Sequence, residues 1–255
     1  MRKCINFILI CSFFVAVMWI LSSEEGLALE SQDLIATFDH PFVGEEIVYD
    51  IKKFGLKVGE AKLNFSGTVK KNGQTAFLII FTAQAINFYD QERIYVDPVT
   101  YKPLRVERDI DLWGKKEKIV EEYLTQEGKI KITKEVKGKM EDLSIEKTGS
   151  VDNIYGFIYS FRAGRRYNPG DVFQLRLPTK DVMIQYVEEK KIKIGSTKHD
   201  TMYLQSDPKQ YHIWFENNEQ RIPLRIDGAL GSIKAALVMR DNTAIRVEDA
   251  MNKEE

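Results

Sequence analysis

The stretch Glu60-Ala61-Lys62-Leu63-Asn64-Phe65 alternates polar and apolar residues without a break. A period of two places Ala61, Leu63 and Phe65 on one face, as a half-buried β-strand requires. Upstream, Glu46-Ile47-Val48-Tyr49-Asp50-Ile51 reads as a second strand. Downstream, Asn72-Gly73 marks a tight hairpin, because both residues tolerate the positive φ that such a turn needs. Ala76 to Ala85 is a β-rich apolar run, long enough to be buried on both faces. Short runs divided by Gly, Asn or Pro, about 8–12 residues apart, continue to Val238. The expected class is therefore all-β and mainly antiparallel.

Two stretches depart from that rhythm. Lys115 to Leu124 fits a helical face about as well as a strand, but turn-like Gln126-Glu127-Gly128-Lys129 and Lys137-Gly138-Lys139 favour strand. Asp152 to Ala163 reads as a helix, with Asp152 as N-cap, Ile154, Phe157, Ile158 and Phe161 on one face, and Gly164 closing it.

The strands on either side of this helix resemble each other. Ile94-Tyr95-Val96-Asp97 leads through a turn to Lys102-Pro103-Leu104-Arg105-Val106. Ile213-Trp214-Phe215-Glu216 leads, through a turn one residue longer, to Ile222-Pro223-Leu224-Arg225-Ile226. Val43-Gly44-Glu45 likewise parallels Pro169-Gly170-Asp171. Similarity at one long period points to a duplicated β-module. The expected architecture is a curved sheet or barrel of two similar β-halves, about 42–150 and 169–240, around a central helix at about 152–163.

The ends of the chain read differently. Met1-Arg2-Lys3 precedes an apolar run from Phe7 to Leu21, and Gly26 and Ala28 are small residues at the -3 and -1 positions of a cut. This is the pattern of a signal peptide over residues 1–28, with an uncleaved anchor as the alternative. Neither Cys4 nor Cys11 has the small residue before it that lipidation would need. Both cysteines fall inside the leader, so the exported chain is expected to lack disulfides, cysteine nucleophiles and cysteine-held metals. Residues 29–41 are expected to form a linker and 241–255 a tail. Export is expected to place the protein in the periplasm.

Net charge is -1 over 255 residues, which gives no basic footprint for nucleic acid. The catalytic search finds no nucleophile elbow, zinc-binding helix, phosphate loop or dinucleotide fingerprint. His40, His199 and His212 lie in separate segments, although His212 lies within reach of Asp207 across a turn. Asp109-x-Asp111 places two carboxylates on one strand face, a spacing that suits acid–base work on a glycan or a calcium ion and equally a solvated surface. Arg162-Ala163-Gly164-Arg165-Arg166 suits a helix C-terminus or a small anion-docking site. Among the aromatics, Tyr95, Trp113 and Trp214 are the expected lining of a cavity, should the barrel be hollow.

Gly44-Glu45-Glu46-Ile47-Val48-Tyr49 and Gly55-Leu56-Lys57-Val58-Gly59-Glu60-Ala61 resemble the opening of an exported bacterial family, domain of unknown function 3108. Tyr159-Ser160-Phe161-Arg162, Pro169-Gly170-Asp171, Arg221-Ile222-Pro223-Leu224-Arg225 and Gly231-Ser232-Ile233-Lys234-Ala235 extend the resemblance across residues 42–240. It implies a β-rich envelope protein and brings no activity or catalytic residue with it. The leading expectation is a non-catalytic binding domain for an apolar, lipid-like ligand, without cofactor or metal. A domain that docks on another envelope protein is the alternative, and an enzyme acting on cell-wall glycan is the third reading.

Overall fold

The computed structural model describes residues 40–230 and 235–243; the expected leader and cleavage site lie outside them. Fourteen antiparallel strands form one curved sheet. The first eight are β1 (Glu46–Lys53), β2 (Leu56–Lys71), β3 (Gln74–Ala85), β4 (Phe88–Val96), β5 (Pro103–Leu112), β6 (Lys115–Leu124), β7 (Lys129–Val136) and β8 (Lys139–Glu146). Helix α1 (Ile154–Ala163) follows, and then β9 (Val172–Leu177), β10 (Lys180–Ile194), β11 (Thr197–Asp207), β12 (His212–Glu216), β13 (Pro223–Asp227) and β14 (Ala236–Asn242). Each strand pairs with its neighbour in sequence except β8 and β9, which α1 separates, and β1 pairs with β14, so the order runs from β8 at one edge through β1 and β14 to β9 at the other. The ambiguous segment at 115–124 is a strand. The last strand runs to Asn242, two residues into the expected tail.

Alternation explains why the sheet wraps around the helix. Ile47, Tyr49, Ile51, Leu63, Phe65, Ile79 and Phe81 of the first half, and Ile184, Leu204, Ile213, Phe215 and Leu237 of the second, share one core with α1. Tyr155 stacks on Phe81 with ring centroids 4.4 Å apart, and Phe161 on Phe215 at 4.5 Å. Each large side chain so buried contributes about 1.5–3 kcal/mol. Gly156 lets the helix approach the β4–β5 loop, because a Cβ there would lie 2.4 Å from the Tyr101 carbonyl oxygen. The run Ala76 to Ala85 is buried on both faces only over its first four residues, where Leu78 joins Val69, Ala76 and Tyr95 in a second, convex-side cluster.

The helix begins one residue later than the sequence suggests. Asn153 is the N-cap, its side chain accepting from the Tyr155 and Gly156 amides. Asp152 instead turns to strand β9, where its Oδ2 accepts from the Arg176 amide at 2.8 Å. Gly164 ends the helix in an extended conformation at φ -71°.

Strand register shows the internal duplication directly. Tyr95 faces Arg105 and Val96 faces Pro103, with a bulge between the two pairs; Trp214 faces Arg225 and Phe215 faces Pro223, with a bulge at the same step. Upstream, the Gly44 amide donates to the Phe65 carbonyl and the Phe65 amide to the Glu45 carbonyl. The amides of Gly170 and Tyr186 repeat this pattern with the carbonyls of Tyr186 and Asp171. Strands β1–β6 thus correspond to β9–β14, and β7, β8 and α1 have no counterpart. Two junctions should join two such units. One is made, between β1 and β14; its counterpart, between β9 and β6, is not. Residues 147–153 run along that unpaired seam, where the Asp152 amide donates to the Arg176 carbonyl at 2.8 Å and the Lys147 ammonium to the Leu177 carbonyl at 2.6 Å.

Candidate functional site

The seam holds two clefts on either side of the α1 N-terminus, and Asp152 and Asn153 line both. The first, of 280 Å³, is polar and contains Glu92, Arg108, Glu121, Tyr123, Tyr155 and Lys180. Period-two alternation turns Asp90, Glu92 and Arg108 inward with Ile94 and Val106, so charge stands on the apolar face of the sheet. Arg108 grips buried Asp90 with two bonds, Nε to Oδ1 at 2.8 Å and Nη2 to Oδ2 at 2.5 Å, while its Nε lies 3.4 Å from Glu92 Oε1. The Tyr123 hydroxyl donates to Glu121 Oε2 at 2.5 Å. The buried Tyr155 hydroxyl has no hydrogen-bond partner among the described residues.

Two carboxylates therefore meet one arginine, and a third, Glu121, lines the same cleft. Burial pushes the Glu92 carboxyl up to about 7; the charges of Asp90 and Glu121 add to this and Arg108 opposes it. A group that titrates near neutrality inside a cleft is a physical mark of a binding or reactive site. Burial also raises the Tyr155 hydroxyl, with Glu92 and Asp90 adding to it. Among the described residues no group of three His, Cys, Asp or Glu side chains is placed to hold a metal ion.

The second cleft, of 270 Å³, runs along the other flank of α1 and contains Tyr101, Phe157, Phe161, Tyr167 and Phe173. Phe161 stacks on Tyr167 at 4.4 Å, and Phe173 meets Tyr167 edge-on at 5.2 Å. Phe157, Tyr167 and Phe173 are only partly buried, so the groove offers aromatic surface to a guest.

Duplication shows what is special here. Counting from the shared bulge and proline, Asp90, Glu92 and Arg108 correspond to Lys209, Tyr211 and Gly228. Strand pairing matches Glu121, opposite Val106, with Leu237, opposite Ile226. The charged cluster belongs to the first half alone and lies at the seam.

The aromatics singled out from sequence do not share a pocket. Tyr95 and Trp214 occupy equivalent positions on the convex face, because Ile94 and Ile213 beside them point inward. The Tyr95 hydroxyl donates to Glu107 at 3.3 Å, and Trp214 is sandwiched between Tyr203 at 4.9 Å and the Arg225 guanidinium at 4.8 Å. Trp113 sits exposed at the β5–β6 turn. Asp109 pairs with Arg93 at 3.5 Å and Asp111 accepts from the Gly114 amide, both away from the seam. His212 bonds to Tyr203 rather than Asp207, and His199 to Glu216.

In the basic run, Arg162 is buried on Glu45, whereas Arg165 and Arg166 are exposed. Arg221 supplies the helix C-terminus instead, donating to the carbonyls of Phe161, Arg162 and Gly164. Glu92, Arg108, Glu121 and Tyr155 were not singled out from sequence. Their signal was the placement of three charges on inward positions of apolar strands.

A family model described as a protein of unknown function (DUF3108) matches residues 48–238. The chain belongs to the DUF3108 family. Among solved structures, this DUF3108 chain is similar to a beta-barrel-like protein of the domain of unknown function DUF1849 from Brucella abortus. The two are 11% identical, the match covers 79% of this chain and 97% of the other, and the TM-score is 0.44. No curated protein matches the sequence significantly.

Proposed function

We propose that this DUF3108 chain is an exported, non-catalytic binding domain that holds a single-chain amphiphile at the seam. One observation carries the reading: an aromatic groove and a carboxylate-rich cleft flank the same helix N-terminus and share Asp152 and Asn153. The groove receives the apolar chain, with Phe157, Tyr167 and Phe173 against it. The cleft receives a head group that donates hydrogen bonds, an ammonium or hydroxyl, because its acceptor oxygens outnumber Arg108 and Lys180, whose ammonium is taken up by the Gln210 side chain. Ligand sites are commonly built this way, from apolar walls and a few placed polar groups. The leader sequence supports export to the periplasm. A unique charged cluster in a duplicated sheet favours a bound guest over a purely structural role.

The test is calorimetric titration of residues 29–255, which contain every described residue, with dodecylamine and with dodecanoate below their micellar concentrations. The reading expects saturable one-to-one binding, with the amine at least tenfold tighter, and weaker binding of both by Phe173→Ser. Absence of saturable binding, or equal binding by the variant, would overturn it.

A further inference from the structure

Consecutive strands of a meander turn back at alternate ends, so the β1–β2, β3–β4, β5–β6 and β7–β8 hairpins lie at one end of the first half. Pairing of Gly59 with Ala85, Phe88 with Leu112 and Glu117 with Val136 places their tips side by side. The Trp113 amide donates to the Asn87 carbonyl at 2.9 Å, joining the second tip to the third. Strand spacing sets successive hairpins about 10 Å apart.

Each tip presents a large apolar side chain to solvent: Phe54 is 94% exposed, Ile86 87%, Trp113 72% and Met140 62%, with Leu56 at 71% beside Phe54. Lysines lie between them. Residues 52–57, 86–89, 112–116 and 136–140 contain seven lysines and no carboxylate. Lys57 pairs with Asp50 at 2.7 Å, while Lys52, Lys53, Lys115, Lys116, Lys137 and Lys139 make no ion pair among the described residues. Between the third and fourth tips, Lys115, Lys116, Lys118 and Lys137 line a concavity of 370 Å³, together with Glu117 and Glu135. Glu117 is held by Lys134 at 2.7 Å. The opposite end differs: its β2–β3 turn, Lys71-Asn72-Gly73-Gln74, and its β6–β7 turn, Thr125-Gln126-Glu127-Gly128, carry no large apolar side chain, and its β4–β5 loop exposes one, Val99.

We propose that this rim of hairpin tips docks on an anionic lipid surface. Single apolar side chains on separate tips do not make the continuous patch that a protein interface buries. They suit insertion into the headgroup boundary, where Trp and other amphipathic side chains settle. Lysine stems extend along the apolar layer while their ammonium groups meet lipid phosphates. The charge complement identifies the surface, with roughly fivefold affinity per lysine near an anionic membrane. The β9–β10 turn, Pro178-Thr179, lies at this same end and lines the polar cleft, so docking brings the seam to the membrane. The proposal stands on the rim alone and does not need the seam to bind a guest.

The test is co-sedimentation of residues 29–255 with vesicles of phosphatidylglycerol and phosphatidylcholine, and with phosphatidylcholine alone. Trp214→Phe, which leaves Trp113 as the one tryptophan of that segment, is followed by fluorescence in parallel. Binding is expected to the anionic vesicles only, to fall at high salt, and to shift Trp113 emission to the blue. Phe54→Ser/Trp113→Ser should weaken binding at least tenfold and Lys115→Gln/Lys116→Gln roughly 25-fold, each with an unchanged melting temperature. If either pair instead lowers the melting temperature, the salt and emission responses of the folded parent decide the matter. No binding to the anionic vesicles overturns the proposal. So does concentration-dependent self-association abolished by the same substitutions, which would make the rim a contact between copies.

Discussion

Two junctions of the duplicated sheet, one made and one left open, each hold an inward-facing arginine, Arg162 buried at the first and Arg108 part-exposed at the second, and the surroundings of the two differ. At the β1–β14 junction, Arg162 meets Glu45 through two bonds of 2.5 and 2.8 Å, donates from Nε to the Gln220 carbonyl, and lies 4.2 Å from the Phe42 ring. Asn242 of β14 donates to the same Glu45 at 3.2 Å. One charge faces one charge, and donors fill the remaining acceptors. At the seam, Arg108 faces Asp90 and Glu92 with Glu121 nearby, the Tyr155 hydroxyl lacks a partner, and a cleft adjoins them. A saturated pair locks an interface; an excess of acceptors beside open volume leaves bonding capacity for something else.

Breaking the saturated pair should have the largest effect on stability. Arg162→Met leaves Glu45 buried without its cation and should cost roughly 3–5 kcal/mol in urea unfolding. Adding Glu45→Met should restore most of that loss, since an apolar pair of similar volume often replaces a buried ion pair at little cost. If the double variant stays as unstable as the single, the junction depends on more than charge balance.

The seam should respond in the opposite direction. Folding raises the Glu92 carboxyl from 4.5 to about 7, so the folded state holds its proton more tightly. Both states are protonated below pH 4.5. As pH rises from there to 7 the unfolded state ionises first, and stability is lost by an amount on the order of 3 kcal/mol, levelling off above pH 7. Glu92→Gln removes this loss, so the variant should gain on the parent between pH 4.5 and 7. Parallel unfolding curves at pH 5 and pH 8 measure the gap, and an unchanged gap would show that the seam is not charge-strained. In the parent, amine binding should tighten as Glu92 ionises through pH 7; in Glu92→Gln that rise should be absent.

A pair of hydroxyl deletions sharpens the contrast at the small end of the scale. The Tyr49 hydroxyl, near the made junction, donates to the Pro223 carbonyl at 2.9 Å, and Tyr49→Phe should cost about 1 kcal/mol. Tyr155→Phe removes a buried hydroxyl with no partner and should leave stability within about 0.5 kcal/mol of the parent, or raise it, while weakening amphiphile binding. Equal losses at both positions would erase the distinction.

Most of the fold was legible in the sequence because alternation and turn residues act locally. The matching of Tyr95-Val96 and Pro103 with Trp214-Phe215 and Pro223 anticipated the duplication, and register gave it a bulge-for-bulge form. The helix was placed within two residues; its cap was misassigned because Asp152 and Asn153 both suit the role, and only the nearby Arg176 amide separates them. The site was less legible. Large aromatics drew attention to Tyr95 and Trp214, yet the alternation that makes Ile94 and Ile213 core residues turns their neighbours outward. The β4–β5–β6 meander brings Glu92 and Glu121 to one face, but the cleft beside them is open because the β9–β6 pair is not made, a long-range outcome that no local pattern encodes.

The central claim is that the open seam holds an amphiphile, and the bound mass tests it most directly. Native mass spectrometry of residues 29–255 purified from their own envelope, followed by denaturing extraction, should show one single-chain amphiphile per protein. The same preparation of Phe173→Ser should lose it. An apo mass for a parent chain that also takes up no dodecylamine, or the same species carried equally by the variant, would contradict the account.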